Sequence, residues 1–219
     1  MTSFPSLDRL EVIIFDLGGV LLDLDYKATN RAFEQLLHLD FDYFYTQTKQ
    51  TTLFDAFEIG AISPQTFREH IRQMAQTQAI QKEPITDERI DDAWNAMLQT
   101  FPVQRIELLK EISKKKKIYL LSNTNAIHKA RFDKIFQAQY GSLYPNLDHF
   151  FVQAHYSHLL GKRKPEVATF QHLIDLHQLD PAKTLFIDDS PQHIAGAQQA
   201  GLQAFWLQVQ KGDDILNYF

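Results

Sequence analysis

Three short apolar runs in this chain each stop abruptly at polar groups, and that pattern narrows the possible folds sharply. Val12-Ile13-Ile14-Phe15 runs into Asp16, Ile118-Tyr119-Leu120-Leu121 into Ser122-Asn123, and Thr184-Leu185-Phe186-Ile187 into Asp188-Asp189. Runs of this length, rich in branched and aromatic residues, read as strands buried on both faces, which belong in a parallel sheet. Ligands of open α/β sheets sit just beyond the carboxyl ends of the strands. If the three strands are neighbours, a carboxylate, a hydroxyl–amide pair and two more carboxylates meet in one small space. A basic segment, Gly161-Lys162-Arg163-Lys164-Pro165-Glu166, falls between the second and third runs. Such a set suits a magnesium ion and a phosphate, with an aspartate as nucleophile.

The stretch from Asp25 to Gln99 carries no convincing buried strand and reads as helices. Ser63-Pro64 supplies an N-cap followed by proline at the first helical position, with Phe67, Ile71 and Met74 at helical spacing behind it. Thr86 with Asp87 and Glu88 opens another helix, with Ile90, Trp94, Met97 and Phe101 on one face. The aromatic residues here, among them Phe33, Phe41, Tyr43, Phe44, Tyr45, Phe54, Phe57 and Phe67, read as core packing. From Pro102 onward helices and strands alternate. A helix through Phe132 and Phe136 stops before Gly141. Phe150-Phe151-Val152 is expected to be a short strand, Pro165 and Ser190-Pro191 open helices, and Gln203 to Leu207 makes a last strand. The expected fold is α/β, a doubly wound, Rossmann-like parallel-sheet core (1–24 and 100–219) with an all-helical cap (25–99) inserted after the first strand.

Composition removes other classes. The net charge of −5 gives no reason to expect a nucleic-acid partner. The dense basic run Lys114 to Lys117 is expected to cap a helix end, where cations meet exposed carbonyls. There is no cysteine, which excludes thiolate chemistry and fits a cytoplasmic home. The first apolar run is far shorter than the ~20 residues that a membrane helix requires, so no membrane partner is expected.

Phe15-Asp16-Leu17-Gly18-Gly19-Val20-Leu21, Ser122 at the end of a strand, the Lys164-Pro165 pair, and Asp188-Asp189 after Phe186-Ile187 follow one another in the order of four known motifs. In this the chain resembles the haloacid dehalogenase-like hydrolases, from about Val12 to Leu207. The resemblance implies Asp16 as nucleophile and magnesium ligand, with Asp188, Asp189 and the carbonyl of Gly18 completing the metal set. It implies Ser122 and the amides around Asn123 as phosphoryl ligands, and Lys164 as the cation that neutralises phosphate and keeps the carboxylates tolerable to one another. Two in-line displacements through an aspartyl-phosphate would follow. The chain departs from the pattern at Gly18, where most family phosphatases place the acid that protonates the leaving oxygen. It is similar there to a subgroup with an Asp-Leu-Gly-x-Val turn that includes bacterial α-D-glucose-1-phosphate phosphatase. Ser122-Asn123-Thr124-Asn125 and Arg163-Lys164-Pro165-Glu166 match that subgroup as well. A small sugar phosphate such as a hexose 1-phosphate is the substrate that this likeness implies.

Two other functions remain open at this point. Carbon–halogen cleavage uses the same aspartate nucleophile, but the dehalogenases use no metal and lack the paired acids seen here as Asp188-Asp189. A non-catalytic phosphometabolite-binding protein would have no need of the nucleophile. Asp23 and Asp25 are expected to cap the first cap helix, the alternative being that they contact substrate or stand in for the acid absent at Gly18. His128 and His193, each just past a motif, are expected on the outer surfaces of their helices.

Overall fold

The computed structural model describes residues 4–37, 52–76 and 85–219. Five parallel strands form one sheet: β1 (Val12–Phe15), β2 (Lys117–Ser122), β3 (Gln153–Tyr156), β4 (Thr184–Asp188) and β5 (Gln203–Trp206), in the order β3-β2-β1-β4-β5. β1 is central and pairs with β2 (Phe15 opposite Leu120) and with β4 (Phe15 opposite Ile187). The register puts the three apolar runs side by side and ends them at one level.

Each run serves two cores, because successive strand residues face opposite sides. Ile13, Phe15, Ile118, Leu120, Leu185 and Ile187 pack with Leu109 of α5 (Val103–Ser113) and with Phe132 and Phe136 of α6 (Ala126–Tyr140). Val12, Ile14, Tyr119, Leu121 and Phe186 pack on the other side. Their partners are Phe170 and Leu173 of α8 (Val167–His177) and Ile194 and Ala197 of α9 (Pro191–Gln199). Burial on both faces is why these strands show no polar alternation.

A third apolar cluster belongs to α1 (Tyr26–Leu37), α2 (Thr52–Glu58), α3 (Pro64–Gln76) and α4 (Asp87–Asn95). Phe33, Phe54, Phe57, Phe67, Ile90 and Trp94 fill it, and Phe57 stacks on Phe67. These helices form the inserted cap. The aromatic residues Phe41 and Tyr43 to Tyr45 lie outside the described residues. The chain leaves and re-enters the core through two short antiparallel segments, tied by Asp23 N–H to the Thr100 carbonyl, Gln99 N–H to the Asp23 carbonyl and Asp25 N–H to the Met97 carbonyl.

Three of the expected caps are in place, whereas in the basic run Lys116 Nζ donates to the Leu7 and Leu10 carbonyls and Lys117 opens β2. Ser63 Oγ accepts from Thr66 N–H, Thr86 accepts from Arg89 N–H, and Lys114 closes α5. Some boundaries differ from expectation, and α4 ends at Asn95, which leaves Met97 and Phe101 beyond the helix expected to carry them, with Phe101 packed into the sheet's core. Phe150 ends a 3₁₀ turn (Leu147–Phe150) that Asn146 caps, so β3 begins at Gln153 rather than at Phe150. Pro165 follows Lys164 through a cis peptide, and α8 starts at Val167. Between β3 and α8 lies the single turn α7 (Ser157–Leu160). Among the described residues no helix is long and apolar enough to cross a membrane.

Candidate active site

Asp16 follows β1 directly, and its N–H donates to the Ile187 carbonyl of β4. That bond holds Asp16 beside Asp188, the last residue of β4. Lys164 enters from the loop before α8, and its Nζ lies 2.6 Å from Asp16 Oδ1 and 2.6 Å from Asp188 Oδ2. The lysine is wholly buried, as is Asp188. Asn123 explains how the loop is held. Its Nδ2 donates to the Lys164 carbonyl (2.8 Å), and its Oδ1 accepts from Lys164 N–H (2.9 Å). A β2 strand end therefore grips the backbone of the residue that neutralises β1 and β4.

Asp188 has further partners. Ser190 N–H donates to Oδ1 (2.8 Å), and His193 Nδ1 lies 2.9 Å from Oδ2. Asp189 points another way, into the cavity. Carboxylate oxygens of Asp16, Asp188 and Asp189 all lie within 4.8 Å of one another. Gly19 has φ +77°, and a Cβ there would fall 2.5 Å from Asp189 Oδ2, so the turn after Asp16 needs glycine to let that carboxylate approach.

Burial raises the Asp16 carboxyl to about 6, against the opposing pull of the Lys164 ammonium. Burial also raises Asp188, but His193 and Lys164 outweigh it and hold that group at about 2. Burial disfavours the Lys164 ammonium, yet the two carboxylates overcome that cost and raise its pKa. Asp188 is thus ionised at neutral pH, and Lys164 opposes the protonation of Asp16 that burial favours.

Asp16 and Asp189 sit at the floor of a cavity of about 470 Å³ between core and cap, with Asp188 buried beside them. Asp16, Gly18, Ser122, Asn123 and Asp189 line its core side, and Tyr26, Asp55, Glu58 and Met97 its cap side. Every motif residue read from the sequence therefore converges on this place. Lys164 lies behind the carboxylates, and Ser122 is buried at the end of β2.

Three expectations are corrected, for His128, His193 and Asp23. His128 is buried on the cavity wall rather than on the surface of its helix, because Trp94 of the cap stacks on its ring at 4.5 Å. Its Nε2 donates to the Trp94 carbonyl (3.0 Å), and Nδ1 accepts from Asn125 (3.3 Å). His193 turns inward to Asp188 because the negative charge there outweighs exposure to water. Asp25 does cap α1, accepting from Ala28 N–H (3.2 Å), whereas Asp23 caps nothing and instead pairs with Arg105 (2.8 Å). Neither aspartate lines the cavity that holds Asp16. Sequence reasoning passed over Asp55 and Glu58, which carry no motif; a signal lay only in the basic loop that they meet.

A family model described as haloacid dehalogenase-like hydrolase matches residues 10–201. A curated relative, D-ribitol-5-phosphate phosphatase of Bacteroides thetaiotaomicron, is 27% identical over 202 residues, spanning 92% of this chain and 93% of that protein. A crystal structure of a HAD family enzyme from the same species, an aspartate-to-alanine variant in complex with magnesium and inorganic phosphate, aligns with TM-score 0.81 and 29% identity. The alignment covers 90% of this chain and 93% of that one. A HAD-like family hydrolase from Porphyromonas gingivalis aligns with TM-score 0.75 and 27% identity over 90% of this chain and 91% of its own.

Burial pushes His128 down to about 4, with the Trp94 carbonyl resisting the shift, whereas the ordinary value is 6.5. A depressed base favours the fold while neutral. Its contribution is complete above about pH 6.5 and is lost as pH falls toward 4, since the unfolded chain then binds the extra proton. The stability of wild type, measured by urea unfolding, is therefore expected to fall more steeply between pH 6.5 and 4 than that of His128→Gln. Other titrating groups cancel in that difference, and parallel curves would show that His128 is not held neutral.

Proposed function

The chain belongs to the haloacid dehalogenase-like hydrolases, and we propose that within them it is a Mg²⁺-dependent phosphatase of a small polyhydroxylated phosphate monoester, acting through an aspartyl-phosphate on Asp16. The observation that carries this reading is the buried ammonium of Lys164 between Asp16 and Asp188, with Asp189 beside them on a cavity floor. A core of residues 1–24 and 100–219 and a cap of 25–99 complete the proposed organisation.

Three carboxylates within 4.8 Å of one another form a hard oxygen donor set, which fits Mg²⁺. Asp16, Asp188 and Asp189 would hold the ion, with the Gly18 carbonyl as a further ligand. When bound, Mg²⁺ would neutralise phosphate charge and draw a phosphoryl oxygen toward Asp16.

The protein's own groups do the rest. A phosphate monoester approaching a carboxylate meets like-charge repulsion of several kcal/mol in a site of low dielectric. Lys164 lowers that repulsion and, by fixing Oδ1 of Asp16, orients the carboxylate. Asp16 attacks phosphorus, the bond from phosphorus to the ester oxygen breaks, and the leaving alcohol takes the electron pair. Water then attacks the phosphoryl group, which releases phosphate and restores Asp16. Ser122 would donate to a non-bridging oxygen. Asn123 spends its side chain on the Lys164 backbone, so its contribution to the phosphoryl group would come from the main chain.

The substrate class is drawn from two likenesses. The curated relative is named for ribitol 5-phosphate, and the sequence motifs resemble those of sugar 1-phosphate hydrolases. Both substrates carry a polyhydroxylated leaving group. Gly18 is where the chain departs from most family phosphatases, and a Cβ there would fall 2.6 Å from Leu24 Cδ1. Gly18 itself offers no acid at that position, and the leaving oxygen departs with little proton assistance.

Three outcomes test the reading. Asp16→Asn should lose at least ~10³-fold in turnover while remaining folded; near-normal activity would overturn the mechanism. Asp189→Ala should raise the Mg²⁺ concentration for half-maximal activity at least about tenfold, and an unchanged titration would move the metal elsewhere. Across aryl phosphates of graded acidity, phosphorylation rates at saturating Mg²⁺ should depend steeply on the leaving group, because general acid help of about 10²–10⁴-fold is missing. A flat dependence would mean that another residue delivers the proton.

A further inference from the structure

Arg163 and Lys164 are consecutive residues of one loop with opposite partners. Lys164 reaches into the core to Asp16 and Asp188, while Arg163 reaches the cap helix α2. Its Nη1 lies 2.7 Å from Asp55 Oδ1, and its Nε lies 2.9 Å from Glu58 Oε2. Arg163 is itself held from behind, since its carbonyl accepts from Thr169 Oγ1 at 2.7 Å. Asp55, Glu58 and Arg163 all line the cavity whose floor is Asp16 and Asp189. They stand opposite that floor, on the side to which the rest of a substrate must point once its phosphate lies against Asp16.

The charge of this wall is uneven. Two carboxylates face one guanidinium, which leaves one negative charge in excess. Among the described residues lining the cavity, Arg163 is the single arginine or lysine, and burial keeps the neighbouring His128 neutral at pH 7. A second anionic group on a substrate would have to compete with Asp55 and Glu58 for Arg163. Hydroxyl groups meet no such conflict. They can donate to either carboxylate and accept from the guanidinium, and Arg163 already holds both acids in position.

We propose that Asp55 and Glu58, held by Arg163, select the leaving group: they accept a neutral polyhydroxylated chain and reject one that carries a carboxylate or a second phosphate. The proposal rests on the phosphatase reading above and narrows it to phosphorylated alditols and uncharged sugars, against phosphorylated sugar acids and bisphosphates. Discrimination of this kind comes from a repulsive element rather than from an added contact.

The test uses the full chain with Mg²⁺ and three substrates: p-nitrophenyl phosphate, an alditol phosphate, and the aldonate phosphate of the same carbon number. Wild type should favour the alditol phosphate over the aldonate phosphate by at least about tenfold in kcat/KM, as one uncompensated like-charge contact implies. Glu58→Gln and, separately, Asp55→Asn should each shrink that ratio, mainly by lowering KM for the aldonate. Asp55 is partly exposed, so its variant keeps the test informative if the buried Glu58→Gln fails to fold. Absence of Mg²⁺-dependent p-nitrophenyl phosphate hydrolysis in wild type would defeat the phosphatase reading itself. Hydrolysis of p-nitrophenyl phosphate with equal efficiency on alditol and aldonate, or a ratio unmoved by both variants, would overturn the selector alone.

Discussion

A single ammonium holds the carboxyl ends of two strands together. Lys164 Nζ stands 2.6 Å from Asp16 and 2.6 Å from Asp188, and both the lysine and Asp188 are without exposure to water. Without it, two aspartates at adjacent strand ends would repel each other in a medium that screens charge poorly. Removing one partner from a buried ionic group typically costs about 3–5 kcal/mol, because the remainder is left uncompensated. Much of the surrounding structure serves that one contact. Asn123 grips both backbone polar groups of Lys164, and His193 and the Ser190 N–H complete the partners of Asp188. Gly196 of α9 lets the following residue come close, since a Cβ there would lie 2.1 Å from the Pro165 carbonyl.

The same loop links the chemistry to the cap. Arg163 ties α2 while Lys164 ties the sheet, so a displacement of the cap reaches Lys164 through one peptide unit. The Trp94–His128 stack makes a second core–cap contact on the cavity wall. Between them lies a space sized for a small molecule, with negative charge on both floor and ceiling. A phosphate dianion is attracted to such a floor only when cations offset its carboxylates. Lys164 is one of these, and the hard oxygen donors of Asp16, Asp188 and Asp189 suit a divalent metal as the other.

How much of this was legible in the sequence follows from the range of each interaction. β1, β2 and β4 declared themselves because burial on both faces removes polar alternation, and each carries its functional residue at its end. The order of motifs then located Asp16, Ser122, Lys164, Asp188 and Asp189. β3 was misplaced because Phe150 and Phe151 are buried without being in a strand, and a short edge strand such as Gln153–Tyr156 has no apolar run of its own. The setting of His128 depends on Trp94, 34 residues away and in the cap. Glu58 meets Arg163 across 105 residues, and Asp23 meets Arg105 across 82. No local periodicity encodes such pairs, so the cap side of the site emerged only from the structure.

The central claim is that an aspartate kept ionised by a buried lysine attacks phosphorus directly. Rapid acid quench during turnover of an aryl phosphate, followed by peptide mapping, tests it most directly. The expected result is a phosphoryl group, labile to hydroxylamine, on the peptide containing Asp16, formed at a rate no slower than turnover. Steady hydrolysis with no phosphorylated Asp16 peptide at any quench time, accompanied by inversion of configuration at phosphorus, would show that water attacks without Asp16 and would contradict it.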